Sequence, residues 1–214
     1  MEPLSETEVR VLGTLIEKQF TIPDYYPMTL NAVRLGANQK NNRDPVTNYT
    51  DDEVQKALDS LQMKRLCGMV KEYAARAPKY RQFLDREFKL EPPALVVLAV
   101  LMLRGPQTLG ELKARTESMH KFASTQEAEE VLSFLMNLAP SPLVTRLERQ
   151  PGEREPRYAH LLAGTPSPVV RAEARFRGDS RVEKSELEAR VETLEAEVRE
   201  LRAMVTELKQ ALGA

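Results

Sequence analysis

The residues best equipped to touch a partner stand together in "NQKNNRDPV", residues 38–46. Asn and Gln side chains can read adenine edges, and Lys and Arg can hold phosphates. Gln39, Lys40 and Arg43 are therefore candidate contacts to DNA or to another partner. The same stretch has a second reading. A connection of this length must satisfy many backbone groups, and Asn and Asp do so through short local hydrogen bonds. On that reading Asn38 suits a left-handed helix end, Asp44-Pro45 a turn, and the stretch braces itself. Bracing accounts for the asparagines but leaves Gln39, Lys40 and Arg43 unexplained.

Groups for covalent or acid–base chemistry are few. Cys67 is the only cysteine and there are two histidines, so one chain cannot build a disulfide or a Cys/His zinc site. No phosphate-binding glycine loop, H-E-x-x-H or G-x-S-x-G occurs. Cys67 reads as a small buried thiol at a strand start, and His120 and His160 as surface or capping groups. Most carboxylates fall at helix starts, where they complete caps and favour the helix dipole. The expectation is a non-enzymatic protein without cofactor or catalytic metal.

The elements that position these groups are announced by their caps. Ser5 and Glu8 form a capping box, with Leu4 and Val9 as its hydrophobic staple. Val9, Leu12, Leu15 and Ile16 continue at helical spacing, and the helix is expected to fade near Lys18. "FTIPDYYPM" follows as an aromatic loop, expected to pack Phe20, Tyr25 and Tyr26 beneath the first unit or to line an effector pocket. A second helix fits "TLNAVRLGAN", capped by Thr29. A third starts at Thr50 with Glu53 completing its box. "CGMVKEY" and "YRQFLDREFKL" then read as a hairpin.

The order recurs. "PPALVVLAVLML" opens with prolines at a helix's permitted end. Thr108 with Glu111 and Ser124 with Glu127 form two more boxes, and "PLVTRLERQ" and "REPRYAHLL" flank a "PGE" turn. A repeat of about 85 residues, three helices and a hairpin each time, points to tandem winged helices. The fold class is mainly α with small β-hairpins (α+β). Residues 1–90 form the first winged-helix domain, 91–163 the second, and 164–180 a linker.

Residues 181–214 read as a coiled-coil helix. Leu187, Val191, Leu194, Val198, Leu201, Val205, Leu208 and Leu212 alternate spacings of four and three, with valine mostly at a and leucine at d. That choice favours a parallel homodimer. A single amphipathic helix folded back on the body is the other reading.

Charge restrains the choice of partner. Lys/Arg against Asp/Glu number 14 and 13 in residues 1–90, 11 and 11 in 91–179, and 6 and 8 in 180–214. No region is basic enough to drive tight nonspecific DNA binding by charge alone. The third helices, Thr50–Lys64 and Ser124–Leu138, lead with carboxylates, which phosphates repel. The hairpins offer Arg76, Lys79 and Arg81 in the first unit and Arg149, Arg154 and Arg157 in the second. Double-stranded DNA and a protein partner both remain open, with the DNA-binding, transcription-related dimer set against a protein–protein adaptor without DNA contact. The N-terminus has no signal-peptide pattern and the longest apolar run, Ala94–Leu103, is about half a bilayer span, so a cytoplasmic protein without a membrane partner is expected.

Three stretches, "LSETEVRVLGTLIEKQ", "TLNAVRLGANQKNNRDPV" and "REPRYAHLL", give the chain a resemblance to the YceH-like family of bacterial proteins over nearly its whole length. That family has no assigned function. The resemblance implies the tandem winged-helix fold and transfers no catalytic residue.

Overall fold

A computed structural model describes residues 2–70, 77–149 and 152–166. The expected coiled coil, most of the linker and Arg76 lie outside these residues. Met1–Thr165 forms one compact unit, so the halves expected at 1–90 and 91–163 both lie within it.

Helix α1, Glu6–Thr21, starts on the expected box: Ser5 N–H donates to Glu8 Oε2 at 2.6 Å and Glu8 N–H to Ser5 Oγ at 3.2 Å. It runs a turn beyond Lys18. A one-sided stripe is what the apolar spacing predicts, yet every residue from Glu8 to Glu17 is buried. The cause is position. α2 (Leu30–Ala37) and α3 (Asp51–Met63) pack against α1, and so does α5 (Pro92–Arg104) from the second half. Gly13 allows that last approach: a Cβ there would stand 3.1 Å from Leu103 and Met102 side-chain atoms.

Each half then follows the same order. A two-residue strand, β1 (Met28–Thr29) or β4 (Gln107–Thr108), ends in the threonine that caps an eight-residue helix, α2 or α6 (Leu109–Thr116). A longer helix follows, α3 or α7 (Thr125–Met136), and then a hairpin. The first hairpin is β2 (Cys67–Val70) with β3 (Lys79–Gln82), the second β5 (Val144–Arg146) with β6 (Arg157–His160). The short strands add to these as third members, giving antiparallel sheets of order β1-β3-β2 and β4-β6-β5. Met28 pairs with Tyr80 and Gln107 with Tyr158. The result is a mixed α/β unit with two small three-stranded sheets.

Several local readings need correction. "YRQFLDREFKL" is not one strand: pairing ends at Gln82, whose buried Oε1 accepts from Leu84 N–H at 2.7 Å and so starts the short helix α4 (Leu84–Phe88). Tyr25 is 78% exposed, while Tyr26 and Phe20 do pack on the core. In α7, Ser124 accepts from Glu127 N–H as expected, but the Glu127 carboxylate turns back to Ala123 N–H at 2.7 Å.

Helix α5 is buried from Ala94 to Leu103 and packs on α1, α4, α6, α7 and β6. One apolar cluster therefore runs from Leu4 to Leu162 through both halves. No helix of the described residues is long and apolar enough to cross a membrane. Leu98, with no exposed surface, sits inside this shared core. Leu98→Ala is expected to cost about 2–5 kcal/mol in denaturant unfolding, with both halves still unfolding in a single transition; separate transitions would show that the halves fold independently.

Candidate nucleic-acid interface

The stretch 38–46 connects α2 to α3 over α1, and it is held mostly from inside. Arg43, a candidate contact by sequence, points into the molecule with its side chain 0% exposed. Its guanidinium donates to Glu17 Oε1 and Oε2 at 3.0 and 2.7 Å, to Gly36 O at 3.1 and 2.8 Å, and to Asn42 O at 2.9 Å. A fork this fully used has nothing to offer a partner, so Arg43 is a brace. The physical reason lies in α1: burying that helix on all sides buries Glu17, and a buried carboxylate needs a paired cation.

The neighbours do similar work. Asn38 Nδ2 donates to Tyr49 O at 2.8 Å and its Oδ1 accepts from Tyr49 N–H at 2.7 Å. It does so at φ −92°, and Asn42 rather than Asn38 is the left-handed residue. Arg10, also buried, donates to Pro45 O at 2.6 Å. Asp44 N–H donates to Leu103 O at 2.9 Å, and Arg104 donates to Asn42, so the loop is tied to α5 as well. Gln39 accepts from Lys18 Nζ at 3.0 Å and donates to Asn41 O at 2.9 Å. Of the three candidates here, Lys40 alone is exposed.

In the second half, Arg157 is likewise engaged. It donates to Glu111 Oε2 at 2.9 Å and to Pro106 O at 3.1 Å, joining β6 to the capping box of α6. Arg149 and Arg154 are exposed. The helix α7 carries three glutamates and no basic residue. Glu129 and Glu130 are exposed beside Phe134, which is 46% exposed. In α3, Asp51, Asp52, Glu53 and Asp59 stand against Lys56.

The first hairpin and α4 differ. Residues 64–89 hold eight Lys/Arg and three Asp/Glu. Arg81, opposite Gly68 in the sheet, and Arg86 of α4 lie with their guanidinium carbons 5.7 and 4.9 Å from the centre of the Phe83 ring. The sequence points to Lys79 and Arg81 but not to Arg86 and Phe83, because a strand drawn through them hides the helix. The signal that could have found them is the charge count over this short window.

The other reactive side chains are placed as packing groups. Cys67 is buried, donates to Leu58 O at 3.5 Å, and burial pushes its thiol up to about 12. Burial pushes His160 down to about 4, and its Nδ1 meets no hydrogen-bond partner among the described residues. His120 stacks edge-on against Phe122 and lies 3.8 Å from Glu127. Among the described residues, no three His, Cys, Asp or Glu side chains converge as a metal site.

The pair at the centre makes two tests. Removing one partner of a buried ion pair strands the other charge, so Arg43→Ala is expected to cost about 3–5 kcal/mol, against less than about 0.5 for exposed Lys40→Ala; equal costs in denaturant unfolding would contradict the brace. Acid acts in two windows. His160 has a folded value near 4 against an ordinary 6.5, so the unfolded chain takes the proton first and stability falls from about pH 6.5 towards 4. For Glu17, burial favours the neutral acid, but the hydrogen bonds and charge of Arg43 with help from Lys18 outweigh it. Glu8 is likewise held low against its own burial by Lys64, Ser60 and Ser5. Their share persists above the ordinary 4.5 and is lost as pH falls through their lowered folded values. His160→Gln should flatten the first window alone in pH-dependent melting.

Comparison with known proteins agrees with the extent of this unit. The family described as "Protein of unknown function, DUF480" matches residues 4–153. Two UPF0502 proteins, from Geotalea uraniireducens and Geotalea daltonii, are each 55% identical over 163 residues, covering 76% of this chain and 74% of theirs. A UPF0502 protein of Opitutus terrae is 46% identical over 164 residues, 77% of this chain and 71% of its own. The match takes in the α1 cap, the braced loop and both third helices, and the chain belongs to the DUF480 family of bacterial proteins of unknown function.

Proposed function

We propose that this chain is a non-enzymatic DNA-binding protein of the YceH-like, tandem winged-helix kind, which pairs through residues 187–212 and acts in the cytoplasm. It holds duplex DNA through the hairpin of its first half and not through its third helices. The observation that carries this reading is the segregation of charge: seven Lys/Arg against three Asp/Glu over residues 65–89, with Lys64 paired to Glu8, while α3 and α7 lead with carboxylates. Phosphates attract the first surface and are repelled by the others. The repeated order of short strand, two helices and hairpin supports the winged-helix assignment. Pairing would present the basic hairpin twice, as dimeric DNA-binding proteins do. The buried Cys67 thiol, with its value near 12, and a His160 that stays neutral at pH 7 support a role without catalysis.

One observation favours a second reading. Phe134 beside Glu129 and Glu130 gives α7 an apolar spot in acidic surroundings, which suits a protein partner better than a nucleic acid. On that reading the chain is an adaptor.

The deciding measurement is binding of the full chain to random-sequence duplex DNA across a salt series. Affinity should fall steeply with salt, and Arg76→Ala/Lys79→Ala should reduce the slope by about one for each phosphate no longer neutralised. Lys40→Ala and Arg149→Ala/Arg154→Ala should leave the slope near the parent's. Absence of binding at about 50 mM salt, where nonspecific attraction is strong, would overturn the DNA reading in favour of the adaptor.

A further inference from the structure

The described arginines fall into three groups, the exposed Arg65 and Arg146 standing with the second. Arg10, Arg34, Arg43, Arg104, Arg115 and Arg157 each bind an oxygen of their own chain, by hydrogen bond or ion pair. Arg149 and Arg154 are exposed on the second hairpin. Arg81 and Arg86 are different: each is placed by the same aromatic ring, and neither guanidinium meets a carboxylate among the described residues. Arg81 Nε is also shut off from solvent with no acceptor among those residues.

The ring that holds them is itself fixed. Phe83 N–H donates to Leu66 O at 2.8 Å, which sets the residue at the end of the hairpin. The ring lies directly over Gly68, where a Cβ would come within 2.2 Å of it. Glycine at 68 therefore leaves the ring its place, and the ring orders two cations without neutralising either. A cation over an aromatic face keeps its full charge. Two such charges on one ring repel each other, and an oxyanion beside them relieves that repulsion. Arginine forks match the oxygens of phosphate and carboxylate in a way that lysine does not. The surrounding excess of Lys and Arg over residues 64–89 favours the more highly charged polymer.

We propose that Arg81 and Arg86, set on Phe83 over Gly68, form a phosphate-binding site that takes a backbone phosphodiester of duplex DNA. The proposal rests on the DNA reading above and sharpens it to one place on the hairpin.

The test uses the full chain, labelled so that the arginine Nε–Hε signals are seen by NMR, with three probes: random-sequence duplex DNA, inorganic phosphate and a short polyglutamate peptide. DNA should move the Arg81 and Arg86 signals saturably, inorganic phosphate should move the same two weakly, and polyglutamate should have little effect. Arg86→Ala should lower the salt slope by about one. Phe83→Leu keeps every charge, so the slope should stay while affinity falls several-fold; a merely charged surface would not respond to it. DNA binding that leaves both arginine signals unmoved overturns the site and leaves the DNA reading standing. Signals moved by polyglutamate but not by DNA overturn the choice of phosphate. A chain that binds no DNA at low salt fails the underlying reading, and this site with it. The wild-type titration needs no substitution, so it decides even where Phe83→Leu does not fold.

Discussion

The buried pair between Glu17 and Arg43 is the constraint on which the rest of the first half depends. α1 is wedged between the helices of its own half and α5 of the other, so even its charged residues are inside. A lone carboxylate at position 17 would cost several kcal/mol in desolvation. The fork of Arg43 meets both of its oxygens and also closes the carbonyl of Gly36 at the end of α2. One side chain thus fixes the loop, the helix before it and the helix beneath it. Arg10 does the same at Pro45, and Lys64 does it for Glu8 at 2.8 Å where α3 ends. Burying α1 on every side goes with two cations around it, Arg43 and Lys64, facing inward, and with α1's own Arg10 buried beside them.

That requirement governs what the surface can do. Cations drawn inward cannot serve a partner, and Arg43 leaves the 38–46 loop in this way, while Lys40, Asn41, Asn42 and Asp44 stay exposed. In the second half a cation is engaged nearer the surface: Glu111, whose carboxylate completes the α6 cap, takes Arg157 from the strand beside it, both side chains being about a third exposed. What remains outside is uneven. The third helices keep the carboxylates that began them, since acid at a helix start is favoured whatever its neighbours. At the end of the first hairpin Arg81 and Arg86 meet no carboxylate among the described residues and lie on the Phe83 ring. A partner would meet a molecule whose overall balance is close to neutral but whose parts are not.

Much of this was legible in the sequence, and the limit of legibility has a physical cause. Caps are local: Ser5, Thr50, Thr108 and Ser124 each sit where their spacing to a glutamate places them. The hairpins are local too, and their strands lie within the expected segments except that β3 starts one residue earlier, at Lys79. β1 and β4 were invisible, because a two-residue strand exists only by pairing with a hairpin some fifty residues away. The brace at Arg43 is hidden for the same reason. An arginine in a polar loop looks exposed until one knows that Glu17, on a helix that reads as amphipathic, is buried from both sides. The charge-rich hairpin is visible in composition, but Phe83 and Arg86 are hidden within an apparent strand, which only the buried Gln82 side chain ends.

The two halves show how one arrangement can diverge without losing its core. Val54, Leu58 and Leu61 of α3 occupy the positions that Ala128, Leu132 and Leu135 hold in α7, counted from the capping threonine and serine, and all six are buried. The exposed positions follow no such rule: Lys56 corresponds to Glu130, and Asp59 to Ser133. Packing holds the inward stripe to apolar residues of similar size, because a cavity or a clash is costly. The outward stripe has no core to fill, so its chemistry is free to differ. A repeat alike inside and divergent outside gives two surfaces of different character on one shared core. The first hairpin and the acidic, Phe134-bearing helix α7 are where that outward difference in charge is greatest.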